Sequence, residues 1–118
     1  MGEIRSYKDL TVWQKSRGLV KDIHVVSKGF PREETYGLLQ QIRRAAISVP
    51  SNIAEGYGGG SRKDYVRFLH MARGSLYELE TQLFLAQDME YLSPATSEPI
   101  RNAVPDCSRL LNGLFPSL

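Results

Sequence analysis

Apolar and polar positions recur with a helical period along almost the whole chain, in four runs separated by glycine and proline. The first extends from about Leu10 to Ser27. Trp13, Ser16, Val20, Ile23 and Ser27 repeat by threes and fours, with Val12, Leu19 and Val26 beside them. That spacing predicts a helix with one broad apolar face. Lys15, Arg17, Lys21 and Asp22 take its solvent side, and Gly29-Phe30-Pro31 ends it. Pro31 suits the first turn of a second helix, where a missing N–H is harmless. Glu33 and Glu34 follow, favourably placed at a helix N-terminus.

The stretch Gln41 to Gly56 reads as the second half of that long helix and carries two stripes. Leu39, Ile42, Ala46, Val49 and Ile53 form the apolar one. Gln41, Arg44, Ser48, Asn52 and Glu55 form a polar one about 120° away by the same period. Short polar chains of such mixed kind suit a semi-buried seam where they satisfy one another or a neighbouring helix. Pro50 removes one helical bond. Both stripes keep their phase across it, which predicts one helix kinked at Pro50 rather than a break near Val49.

Gly56-Tyr57-Gly58-Gly59-Gly60 ends the second helix, and Ser61 with Asp64 reads as a capping box opening the third. The third has the most regular heptad: Tyr65, Leu69, Ala72, Leu76, Leu79, Leu83 and Ala86. Ser93-Pro94 reads as the cap and first residue of a fourth, continued by Ile100, Val104, Cys107, Leu111 and Leu114. Pro99 and Pro105 predict that it begins late, near Pro99, or bends near Pro105. With no strand pattern, repeat or linker, the expected fold is all-α: an antiparallel up-down-up-down four-helix bundle. Residues 1–118 make a single domain, with 1–7 an N-terminal tail.

Composition narrows the function classes. At 42% apolar and 24% charged, the chain has the balance of an ordinary globular protein. The net charge of +2 does not by itself imply nucleic acid. The lone cysteine, Cys107, excludes an internal disulfide and gives no zinc pattern, and its helical spacing makes it a small core residue. No apolar run reaches membrane-spanning length, so no membrane partner is expected and the compartment expected is the cytoplasm. The Met1-Gly2 start with Ser6 fits an acylation signal only loosely.

Four constellations bear on chemistry. The glycine loop running into Ser61-Arg62-Lys63 could suit an anion, but it lacks the spacing of a P-loop and reads better as a helix stop followed by a helix start. Arg44, Ser48, Asn52 and Glu55, joined by Ser75 and Glu78, invite a catalytic reading. No histidine is placed to activate Ser48, His24 and His70 being on outward positions, so a structural polar seam explains the stripe better. Glu55, Glu78, Glu80, His24 and His70 do not form the Glu-x-x-His pairs of a di-iron bundle, so no metal and no cofactor are expected. Finally, Lys8, Lys15, Arg17, Arg62, Lys63 and Arg67 fall in or just before the first halves of the first and third helices, at one end of an antiparallel bundle. Glu33, Glu34, Glu78, Glu80, Asp88, Glu90 and Glu98 fall toward the other.

Tyr7-Lys8-Asp9-Leu10-Thr11-Val12-Trp13-Gln14-Lys15, Phe30-Pro31, Gln41-Ile42-Arg43-Arg44-Ala45-Ala46, Ser48-Val49-Pro50-Ser51-Asn52-Ile53-Ala54-Glu55-Gly56 and Gly74-Ser75-Leu76-Tyr77-Glu78-Leu79-Glu80 resemble a known family. It is that of the bacterial four-helix-bundle proteins, also called 23S rRNA intervening-sequence proteins because some are encoded in insertions within that rRNA gene. The resemblance runs from about residue 5 to 115. It implies a four-helix bundle assembled into a ring-shaped homopentamer. A related protein, the accessory factor of diversity-generating retroelements, is a basic pentamer that binds nucleic acid and works with a reverse transcriptase.

Self-association is also expected from the residues themselves. Val66, Tyr77 and Phe84 lie opposite the core heptad, and Ile47 and Ala54 lie off the core face of the second helix. The reading is a non-enzymatic homo-oligomeric module for binding or scaffolding. RNA or DNA would be held by Lys15, Arg17, Arg62, Lys63 and Arg67. The alternatives are an accessory subunit for a protein such as a reverse transcriptase, or an enzyme with a site between subunits around Arg44 and Glu55.

Overall fold

Each of the four periodic runs folds as a helix in the computed structural model, which describes residues 3–116. The helices are α1 (Thr11–Ser27), α2 (Leu38–Gly58), α3 (Arg62–Asp88) and α4 (Pro94–Asn112), with single 3-10 turns at Tyr7–Asp9 and Arg32–Glu34. No strand occurs among the described residues. The longest helix, α3, has 27 residues and accounts for most of the 43 Å long axis.

Contacts between neighbours give the direction of each helix. Arg43 of α2 reaches back to Ser27 and His24 at the end of α1. Ser48 of α2 meets Ser75 of α3, and Gly56 meets Tyr65 and Phe68. Gln87 of α3 meets Ser97 of α4, and Arg73 meets Asn112. Leu10 and Val12 share a groove with Leu110 and Leu114. Numbers rise on one helix as they fall on the next, so neighbours run antiparallel and α4 closes back onto α1. The pairs α1–α3 and α2–α4 lie across the diagonals.

The core is a single cluster with Ile23, Ile42, Val49, Ile53, Leu69, Leu76, Leu79, Leu83 and Leu111 fully buried. These positions are the predicted apolar stripes. Cys107 is buried among them, and burial pushes its thiol above the usual range. Ser16 and Ser27 are buried too, each donating its hydroxyl to a carbonyl three residues back. Ser27 Oγ also accepts from Arg43 Nε at 2.9 Å, while Arg43 Nη2 donates to the His24 carbonyl at 3.2 Å. A cation thus satisfies the last turn of α1, where carbonyls lack helical partners.

Several boundaries differ from expectation. At the N-terminal segment, the Ser6 hydroxyl accepts from Lys8 N while Asp9 accepts from Ser6 N, capping the Tyr7–Asp9 turn. The Met1-Gly2 start lies outside the described residues. Pro31 does not open α2. It precedes the Arg32–Glu34 turn, and α2 begins only at Leu38. Glu34 explains the delay: its Oε1 accepts from Leu38 N at 3.0 Å and caps the helix from outside. At Ser61 only half of the reciprocal box forms. Its hydroxyl accepts from Asp64 N, while the Asp64 carboxylate pairs with Arg67 at 3.7 Å.

The fourth helix does not begin late. It starts at Pro94, with Ser93 Oγ accepting from Thr96 N at 3.1 Å, and passes through Pro99 and Pro105. Both prolines are exposed, so their missing bonds fall on the solvent side, where water serves the freed carbonyls. Ser97, Ile100, Val104, Cys107 and Leu111 keep the buried face continuous. In α2 the helix likewise continues through Pro50, which excludes a break near Val49.

The second helix ends inside the glycine-rich run, at Gly58, as expected; Gly56 itself has another task. Gly56 is buried, and a Cβ there would stand 2.8 Å from Phe68 Cβ and 3.2 Å from Tyr65 Cδ1. It is the point where α2 and α3 approach too closely for any side chain. The turn itself is made by Gly60, at φ +84°.

Two predictions follow from these contacts. Gly56→Ala gains about 1 kcal/mol of helix propensity but overpacks the seam, typically a loss of about 1–3 kcal/mol. Urea denaturation is expected to show a net loss, and Gly18→Ala, with no atom within 4 Å of its Cβ, a gain. The second concerns Glu34, which joins both loops at one end of the bundle: Tyr91 donates its hydroxyl to Oε2 at 2.8 Å. The Leu38 amide bond, and next the Tyr91 hydroxyl, hold the Glu34 carboxyl below its usual range. A depressed folded pKa stabilises fully above the unfolded value and loses this as pH falls through the folded one. Glu34→Gln is therefore expected to melt lower than the wild type at pH 7. The gap should begin to narrow as pH falls below the ordinary glutamate value and close only as pH passes through the lower folded one.

Candidate functional site

The polar stripe of α2 faces α3, and the two helices hold a groove of about 310 Å³ between them. Gln41, Arg44, Ala45 and Ser48 line it from α2, and Ser75 and Glu78 from α3. These come together because one helical turn on α2 matches one on α3 in antiparallel register. Ser75 Oγ donates to Ser48 Oγ at 3.0 Å. Asn52 Nδ2 donates to the same oxygen and to the Ser48 carbonyl, both at 2.8 Å. Asn52 is buried and Ser48 half-buried, whereas Gln41, Arg44 and Glu55 are exposed on the single chain. The stripe is thus a sealed polar joint at Ser48 and Asn52, with open ends. Burial inside one bundle is ruled out for Arg44 and Glu55.

The geometry does not assemble a nucleophile. Ser48 Oγ receives two donors, and no imidazole or carboxylate stands at hydrogen-bond distance from it. His24 and His70 are exposed on other faces, as expected. Arg44 and Glu78 face the same groove without an ion pair between them. Glu55 is eleven residues from Arg44 on the same helix, about 16 Å away, so one chain does not join them. Among the described residues no cluster of three or more histidine, cysteine, aspartate or glutamate side chains is placed to hold a metal. No described helix is long and apolar enough to cross a membrane.

One participant escaped the sequence reading. Gln82 is buried one turn beyond Glu78, donates to Glu78 Oε1 at 3.2 Å, and leaves its own Oε1 without a donor. Its place in the heptad between Leu79 and Leu83 was the available signal: a polar residue adjoining two core positions.

The basic residues divide. Lys15, Arg17, Arg62, Lys63 and Arg67 are all exposed. Arg62, Lys63 and Arg67 share the first turns of α3, but Lys15 and Arg17 sit on α1, across the bundle diagonal. Arg17 lies over the Trp13 ring at 5.0 Å, and Arg67 over Phe68 at 4.4 Å. Acids interrupt this end: Asp64 pairs with Arg67, Asp106 with Arg109 at 3.8 Å, and Asp106 shares a groove with Lys15. The separation of charge between the two ends is therefore weaker than chain order suggests.

The sequence profile of the 23S rRNA-intervening sequence protein family matches residues 8–113. The chain belongs to that family. Its fold is also that of a solved structure, a protein of unknown function from the S23 ribosomal protein family of Bacteroides thetaiotaomicron VPI-5482. The two are 26% identical, with a TM-score of 0.82 over 91% of this chain and 100% of the other. Comparison with the curated proteins finds no match. For this member of the 23S rRNA-intervening sequence family, the match spans all four helices, including the proline-containing α4 and the polar joint at Ser48 and Asn52.

Proposed function

We propose that the chain is a non-enzymatic, self-associating helical-bundle module, a cyclic homopentamer, whose repeated basic ends hold RNA or DNA. The observation that carries the self-association is the outer surface of α2 and α3. Ile47 is 52% exposed, Tyr77 53% and Phe84 46%. Large apolar side chains left out on adjoining helices mark a contact surface. A cyclic arrangement also gives the open ends of the polar stripe, Arg44 and Glu55, partners on another chain. The nucleic-acid role rests on Arg62, Lys63 and Arg67, with Lys15 and Arg17 on the far side of the bundle. One copy has too few cations at this end for tight binding. A ring repeats them in one plane, and their effect on a polyanion then adds by multivalency. Family membership and the solved relative support the bundle itself.

The first test is mass. Multi-angle light scattering at micromolar concentration is expected to give a multiple of the 13.3 kDa chain mass, five in the proposed ring. Ile47→Arg with Tyr77→Arg should give monomers. A wild-type monomer overturns the self-association, while another closed number changes only the count.

The second is a filter-binding titration with single-stranded RNA and DNA of mixed sequence. Binding is expected at about 50 mM salt and should weaken steeply with added salt, as counterion release requires. Replacing Arg62, Lys63 and Arg67 by glutamine should remove most of it. The same change at Lys28 and Arg32, at the opposite end, should remove little. No wild-type binding at the lower salt overturns the nucleic-acid role.

A further inference from the structure

Four arginines lie over aromatic rings among the described residues. Arg73 and Arg101 are half-buried there and donate to side chains nearby, Arg73 to Asn112 and Arg101 to Ser97. The other two are exposed, and both stand at the basic end of the bundle. The Arg17 guanidinium lies over the Trp13 ring, 5.0 Å from its centroid, and that of Arg67 over the Phe68 ring at 4.4 Å. We propose that this end takes single-stranded rather than double-stranded nucleic acid, with unpaired bases stacked on Arg17, Tyr57 and Arg67. This rests on the nucleic-acid role proposed above and names the form of polyanion it takes.

Contact with phosphate needs charge, which lysine supplies as well as arginine. A guanidinium adds a flat surface. One side of each of these two is covered by its ring, and the rest of the side chain is open to water; that of Arg67 keeps 58% of its surface exposed. A nucleobase is also flat and stacks on such a plane without regard to sequence. Inside a duplex the bases are already stacked on one another and present only their edges. An unpaired base is therefore the partner these planes fit, while a duplex can use only their charge.

Both platforms are held before any strand arrives. Tyr7 meets Trp13 edge-on at 5.1 Å between centroids, which fixes the ring under Arg17. Phe68 packs against Gly56, and Asp64 holds Arg67 from the side at 3.7 Å. A side chain fixed beforehand loses less freedom on binding. Tyr57 supplies a further ring. It stands in the last turn of α2, is 36% exposed and meets Tyr65 edge-on at 6.3 Å between centroids. Neighbouring helices stand about 8–10 Å apart, and α2 lies between α1 and α3, so Tyr57 bridges the diagonal that separates Arg17 from Arg67. Lys15 and Lys63, exposed on the same two outer helices, meet the phosphates.

The test is fluorescence anisotropy on the full chain at about 50 mM salt. The labelled probes are a mixed-sequence DNA single strand, the same strand in a duplex, and an abasic strand with the phosphates but no bases. Arg17→Lys with Arg67→Lys keeps the charge and removes the flat platforms. This pair is expected to weaken the single strand about tenfold, the scale of one stacked base. It should leave the duplex and the abasic strand unchanged. The salt dependence should keep its slope, since the same number of cations meets phosphate. Tyr57→Leu should likewise weaken the single strand alone. Single-stranded RNA of the same sequence should behave as the DNA does, because a stacking plane does not read the 2′-hydroxyl. Stacking is overturned if the lysine pair binds the single strand as the wild type does, or if it weakens all the probes alike. Either result leaves charge as the basis of binding at this end. No binding of any strand by the wild type overturns the nucleic-acid role itself, and stacking with it. Melting temperature and assembly mass check that the variants fold, and should the lysine pair fail, Tyr57→Leu decides alone.

Discussion

Everything else in this bundle depends on how closely α2 and α3 approach. Only glycine fits at position 56, opposite Phe68 and Tyr65. Farther along the seam, two serine hydroxyls meet, with Asn52 bonded to one of them. Small and short side chains bring the backbones together, and the large residues Ile42, Val49, Ile53, Leu69, Leu76 and Leu79 are then fully buried in the interior. The polar joint is cheap to bury because Ser48 Oγ is fully engaged by donors from two sides. It also favours this register: a shift of one turn would break the Ser75–Ser48 bond, the one hydrogen bond of the joint that crosses between the helices.

The ends of the bundle are secured differently. At one end Arg43 satisfies the last turn of α1, while Glu34 caps α2 and receives Tyr91 from the next loop. Gly37 keeps this possible, since a Cβ there would meet Glu34 Oε1 at 2.6 Å. At the other end Gly60 makes the turn into α3, and the residues after α4 are clamped through Phe115 by His70 and Arg73. The first end is tied by backbone-directed bonds of charged groups. The second is tied by ring contacts.

Two surfaces remain for function, and they differ in kind. The outer faces of α2 and α3 expose large apolar side chains but little charge of one sign, which suits another copy of the chain. The start of α3 gathers Arg62, Lys63 and Arg67, moderated by Asp64, which suits a polyanion only when repeated. In the proposed function, their separation on the molecule would let assembly and polyanion binding use different residues.

Helical periodicity alone determined the four helices, the buried heptad of α3, the apolar stripe of α2 and the core place of Cys107, because each follows from which face of a helix leaves water. It also indicated that Ser48, Asn52, Ser75 and Glu78 belong together. Only the tertiary structure decided the boundaries at Pro31 and Pro99. Glu34 caps α2 from outside, and exposed prolines are tolerated where water serves the freed carbonyls. Within the glycine run that ends α2, Gly56 proves to be a packing position, since its neighbours Phe68 and Tyr65 belong to another helix. The basic residues of α1 and α3 share an end in chain order yet lie across the diagonal. Period fixes the angle of a residue on its own helix, but the neighbour that angle meets is set by how four helices pack around one core.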